Sequence, residues 1–120
     1  MRILILEDSD ERIKQFKHKL MDHKLTICKS SKTCIDILTN EVPFDYIMLD
    51  HDLGDNFTSY YKDTGYEVAK WITENKNKAP TKKIFIHSLN TNGAVSMLHK
   101  LLEANIATEC VPFLWEKLAL

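Results

Sequence analysis

Short runs built almost wholly of apolar residues alternate along this chain with stretches whose apolar residues recur at helical spacing. That alternation restricts the fold more than any other feature. The runs are Ile3–Leu6, the weaker Leu25–Cys28, Phe44–Leu49, Ile84–Ile86 and Ala107–Val111. Runs without polar alternation suit strands covered on both faces, as in a parallel sheet. Between them, Ile13, Phe16, Leu20 and Met21 share one helical face, and Cys34, Ile37 and Leu38 follow the capping candidates Ser30 and Ser31. Val68, Ala69, Trp71 and Ile72 follow Thr64-Gly65, and Val95, Leu98, Leu101 and Leu102 make a fourth stripe. Strands alternating with helices imply right-handed crossovers. The expected fold class is α/β: a flavodoxin-like three-layer sandwich, its five-stranded parallel sheet in the order 2-1-3-4-5 with helices on both faces. Residues 1–120 read as a single domain without internal repeat, and Phe113–Leu120 is expected to form a last short helix or to dock on the sheet.

Charge excludes some functions. Sixteen Lys and Arg against seventeen Asp and Glu leave a net charge of −1. No global field draws such a chain onto nucleic acid or anionic lipid, so neither stable DNA binding nor membrane attachment is expected. Arg12, Lys14, Lys17, Lys19, Lys24, Lys29 and Lys32 form a local basic bias, read as a solvated face away from the acidic strand ends. Cys28, Cys34 and Cys110 are odd in number and form no C-x-x-C pair, which argues against a disulfide framework or zinc ribbon. The amino terminus turns acidic at Glu7-Asp8, too early for a signal peptide or a membrane span, so the expected location is the cytoplasm. A sheet left partly uncovered by the last segment would favour a weak dimer, and a fully covered one a monomer.

Sheets of this kind place ligands beyond the carboxyl ends of their strands. Strand 1 runs into Glu7-Asp8-Ser9-Asp10, strand 3 into Asp50-His51-Asp52-Leu53-Gly54-Asp55 and strand 4 into His87-Ser88-Leu89-Asn90. The opposite ends carry nothing comparable. Several carboxylates at one edge repel one another unless a cation or proton sits among them. Glu7, Asp8 and Asp50 are therefore candidate ligands for a divalent metal, Mg²⁺ or Mn²⁺ first, with Zn²⁺ the alternative if His51 and His87 also ligate. Ser9 or Asp10 as a helix cap is the plainer use of the first cluster, and both can hold at once. His51 and His87, beside these carboxylates, suit a general acid or a phosphate-contacting cation. Asn90, Asn92 and Gly93 precede the fourth helix and read equally as an anion site or as a cap and turn. Asp63-Thr64-Gly65-Tyr66 reads as a capped helix start. Asp50–Asp63 is the longest irregular stretch, and its Tyr60 and Tyr61 are candidates for stacking on a base. His18, His23 and His99 read as ordinary surface residues.

Glu7-Asp8 after strand 1 and Asp50 after strand 3 resemble the acidic pair and phosphoacceptor aspartate of response-regulator receiver domains. Receivers carry Lys-Pro after strand 5, where this chain has Val111-Pro112, and Thr or Ser after strand 4, where it has His87-Ser88. Leu49–Gly54 (LDHDLG), Asp63–Ala69 (DTGYEVA) and His87, Ser88 and Asn90 together resemble an atypical member of that superfamily, the cyclic-phosphate-processing receiver family. What the resemblance implies is metal-assisted hydrolysis of cyclic phosphates, 2′,3′-cyclic ends of RNA or nucleotides. Asp50, His51 and His87 would be catalytic there, and Ser88, Asn90 and Asp52 would contact substrate. Two other readings compete with this phosphoesterase: a signalling receiver phosphorylated on Asp50, and a non-catalytic interaction module on the same fold.

Overall fold

The computed structural model describes residues 1–53 and 63–111. Along the chain stand β1 (Arg2–Leu6), α1 (Asp10–Lys19), β2 (Lys24–Cys28), α2 (Ser31–Asn40), β3 (Tyr46–Leu49), α3 (Tyr66–Glu74), β4 (Lys83–Ile86), α4 (Thr91–Glu103) and β5 (Thr108–Cys110), with a 3-10 turn at Lys76–Lys78. All five strands pair in parallel, in the order β2-β1-β3-β4-β5, so the flavodoxin-like topology is the one present.

Strand periodicity divides the core in two. Leu4, Leu6, Ile47, Leu49, Ile84 and Ile86 face α2, α3 and α4, packing with Leu38, Val68, Ile72, Met97 and Leu101. Ile3, Ile5, Met48 and Phe85 point the other way, onto Phe16 and Leu20 of the α1 segment. No helix among the described residues is long and apolar enough to cross a membrane. The expected terminal segment Phe113–Leu120 falls outside the described residues, as do Gly54, Asp55, Tyr60 and Tyr61.

Local chemistry sets the helix starts. Ser9 caps α1 by accepting from the Arg12 N–H, Ser30 caps α2 from the Thr33 N–H, and Asn90 caps α4 from the Gly93 N–H. The third helix departs from expectation. Its cap is Gly65, without a side-chain bond, and Asp63 instead accepts from the backbone N–H and the hydroxyl of Ser31 at the start of α2. Two apolar stripes are also rotated from those read in the sequence. Met21 lies beyond α1 and is exposed, and on α4 the buried residues are Gly93, Ala94, Met97 and Leu101 while Val95 and Leu102 face out. The small residues win on α4 because its first turn must approach the strand edge closely. An added Cβ on Gly93 would stand 2.4 Å from the His51 ring.

Candidate functional site

Three adjacent strands end in register. Leu6 pairs with Leu49, and Leu49 with Ile86. Each ladder then continues by one bond, Asp50 N–H to the Leu6 carbonyl at 3.1 Å and His87 N–H to the Leu49 carbonyl at 3.0 Å. Glu7, Asp50 and His87 thus stand side by side. Each lies two residues past a core residue on the α1 side (Ile5, Met48 and Phe85), so all three share the face that α1 covers. Their ligating atoms lie within 4.8 Å of one another, and all three residues are buried.

Helix α1 supplies what this group needs. Arg12 donates Nε to Glu7 Oε1 at 2.9 Å and a terminal nitrogen to Glu7 Oε2 at 3.2 Å, and the same nitrogen reaches Asp50 Oδ2 at 3.4 Å. One turn on, Phe16 sets its ring edge-to-face with His87, centroids 5.0 Å apart. His87 Nε2 lies 3.2 Å from Glu7 Oε1, and the N–H groups of Asp8 and Ser9 each donate to Glu7 Oε2 at 3.0 Å. Burial alone would raise the Glu7 carboxyl, but the hydrogen bonds from His87, Arg12 and the Ser9 N–H outweigh it and hold the group near a pKa of about 2. Asp50 is the opposite case. Burial pushes it up to about 6, opposed by the His87 charge and helped by the nearby Glu7 charge.

Arg12 does not lie on the solvated basic face expected from the sequence: its head bridges Glu7 and Asp50. The signal was available, since Arg12 precedes Phe16 by one helical turn and Phe16 is core. Asp8, expected among the metal ligands, is half-buried, and its charge acts on Arg12; the third member of the close group is His87.

Alternation sends His51 to the other side of β3. Its backbone N–H donates to Asp50 Oδ1 at 2.8 Å, while its ring lies over Gly93 at the start of α4. His51 Nδ1 is 2.7 Å from Asp52 Oδ1, and Asn90 Nδ2 donates to the same oxygen at 3.1 Å. A carboxylate on Nδ1 fixes the ring and leaves Nε2 for another partner. Asn90 is therefore both the α4 cap and a prop for Asp52, and the Ser88 hydroxyl is engaged by the Asn90 N–H at 3.0 Å. Thr64 bridges to Asp52 as an antiparallel pair, and the Gly65 N–H donates to the His51 carbonyl at 2.8 Å. Glycine is required there, because a Cβ would fall 1.8 Å from the Asp50 carbonyl oxygen.

The expected site is thus two neighbouring groups. Glu7, Asp50, His87 and Arg12 form a buried one, and His51, Asp52 and Asn90 form a more open one. Two carboxylates and an imidazole are a donor set that a divalent cation accepts. The Arg12 guanidinium is the cation that such an ion would have to displace.

Comparisons with known proteins bear on the fold and the family. No curated protein matches the sequence. Among solved structures, the chain is similar to the signal receiver domain of a LuxO repressor protein from Vibrio parahaemolyticus, with a TM-score of 0.69 and 20% identity over 97% of this chain and 82% of that one. A CheY-like receiver domain from Methanospirillum hungatei gives 0.69 and 19% over 96% and 84%. The response regulator TrrA from Thermotoga maritima, solved in complex with Mg²⁺ and beryllium fluoride, gives 0.69 and 16% over 97% and 90%. These likenesses show a receiver fold. The family model of the cyclic-phosphate processing receiver domain matches residues 2–103, and the chain belongs to that family.

Proposed function

We propose that this domain is an atypical receiver, one that keeps the charged strand-edge pocket but does not run a phosphoaspartate switch. The observation that carries the reading is the source of the cation beside Asp50. It is Arg12 of α1, already bonded to Glu7, while the chain after β5 reads Val111. A phosphoryl group on Asp50 would meet a guanidinium committed elsewhere, and the residue after β4 is His87, itself held by Glu7. Incubation with acetyl phosphate and Mg²⁺, read by intact mass, is expected to give no lasting adduct. A stable phosphoaspartate would overturn the reading.

A second reading, action on cyclic phosphates, is favoured by the His51–Asp52 pair. An imidazole oriented by a carboxylate at 2.7 Å can pass a proton through Nε2 to or from a ribose oxygen. The first-turn N–H groups of α4 lie beside it and favour an anion. Asp50 and Glu7, with Asp8, would hold a divalent cation here. When bound, that ion would neutralise phosphate charge and lower the pKa of a water. His51, not the buried His87, is the better placed acid, because His87 is bonded to Glu7 and packed on Phe16. His51→Ala is expected to lower hydrolysis of a 2′,3′-cyclic nucleotide by about 10²–10⁴-fold with the fold intact. Unchanged turnover would remove this reading.

A further inference from the structure

A groove runs from His51 along the side of α4. It has a volume of about 600 Å³, and its lining includes His51, Tyr66, Ser96, His99, Lys100 and Glu103. Gly93, under the His51 ring, is followed by Ser96, Lys100 and Glu103 at spacings of three and four, which is one stripe of a helix. From Gly93 to Lys100 the helix rises about 10 Å. The groove therefore begins at the open half of the site and extends well past it.

Its chemistry is uncommitted. Among the described residues, Tyr66, Ser96, His99, Lys100 and Glu103 have no side-chain hydrogen bond or ion pair. Lys100 and Glu103, three residues apart on one helix, are not paired with each other and both face the groove. What remains is a cation about two helical turns beyond Gly93, two flat rings, a hydroxyl and a carboxylate. Such a set suits a group carrying a phosphate, a flat base and sugar hydroxyls: Lys100 for the phosphate, Tyr66 and His99 for stacking, Glu103 for a hydroxyl or an amino donor.

We propose that the groove between α3 and α4 is a nucleotide subsite, seating the residue next to the one whose phosphate lies at His51. The domain's ligand is then the end of a single strand of RNA and not a free mononucleotide. This inference rests on the cyclic-phosphate reading above and extends it from the reacting group to the rest of the ligand.

Calorimetry on the full chain tests it, with cytidine 2′,3′-cyclic phosphate and the dinucleotide CpC ending in a 2′,3′-cyclic phosphate as probes. The dinucleotide is expected to bind about tenfold tighter. Lys100→Ala should erase that advantage and leave the mononucleotide's Kd unchanged, while Lys100→Arg should keep most of it. If the mononucleotide binds and the dinucleotide gains nothing, the subsite is refuted and the cyclic-phosphate reading stands. Equal weakening of both ligands by Lys100→Ala also refutes the subsite. If neither probe binds, the underlying reading fails and the subsite with it.

Discussion

Replacing Arg12 by alanine tests the account of the buried group most directly. Glu7 has no solvent exposure and takes two hydrogen bonds from Arg12, at 2.9 and 3.2 Å. Removing one partner of a buried ion pair costs about 3–5 kcal/mol, because the other charge stays behind. Two features reduce that figure. The Arg12 side chain is 31% exposed, so water can enter the vacated space, and Glu7 keeps His87 and the N–H groups of Asp8 and Ser9. A loss of about 2 kcal/mol is expected, seen as a fall in Tm of roughly 6–10 °C. Urea denaturation of wild type, Arg12→Ala, Glu7→Gln and the double variant gives the coupling energy, expected at about 1–2 kcal/mol. A coupling below about 0.5 kcal/mol would mean that Arg12 does not hold Glu7, and the account of the buried group would fall. Mn²⁺ provides a second readout. It should stabilise Arg12→Ala more than wild type, because the ion no longer competes with a guanidinium for Asp50 and Glu7.

The pH dependence of stability should carry two opposed signatures, measurable by denaturation across pH. Glu7, at about 2 in the fold against an ordinary value of 4.5, stabilises fully above about pH 4.5, and that contribution is lost as pH falls towards 2. Asp50, raised to about 6 from 3.8, binds its proton more tightly in the native state, so its contribution weakens as pH rises from about 4 to 6. Asp50→Asn should therefore be more stable than wild type at pH 7, with the difference shrinking towards pH 4. Gly65→Ala places a Cβ 1.8 Å from backbone and should cost about 3 kcal/mol or more in chemical denaturation. Gly93→Ala sets a Cβ 2.4 Å from Cγ of the His51 ring, which Asp52 holds, so it should cost about 1–3 kcal/mol and move the His51 NMR resonances. Asn90→Ala, losing the α4 cap, should cost about 1 kcal/mol by thermal melting.

Unbroken apolar runs between period-3.6 stripes make the sheet legible in the sequence, because parallel strands buried on both faces cannot hide such runs. The edge residues Glu7, Asp50 and His87 were legible for the same reason, as each is the first polar residue after such a run. Sequence did not show how strand alternation would sort them. Asp50 and His51 are neighbours in the chain and therefore point to opposite faces of β3, so one joins Glu7 under α1 and the other reaches α4. Arg12 was hidden because a basic residue on an amphipathic helix usually faces water. Its inward turn depends on Ser9 fixing where α1 begins. His99 reads as ordinary in the sequence because a groove between two helices leaves no mark on either helix alone.

That division decides where chemistry can happen. The buried group is internally neutralised: Glu7 is surrounded by donors, His87 is bonded to it and packed on Phe16, and Arg12 closes the access to Asp50. A ligand reaching it must first displace a bonded guanidinium. The outer group asks for no such exchange. The Asp52 side chain is 69% exposed, the His51 side chain 18%, and the groove opens from His51 along α4. On the cyclic-phosphate reading, substrate contact would belong to the His51 side, and the buried acids would act on it through Asp50, whose Oδ1 holds the His51 backbone N–H. It follows that Asp50→Asn and His51→Ala should differ in kind. The first should shift metal dependence and leave the Kd of a cyclic mononucleotide within about twofold, while the second should weaken that binding in the presence or absence of metal. Equal loss of binding in both variants would mean that the two groups form one pocket, and the division argued from strand alternation would be wrong.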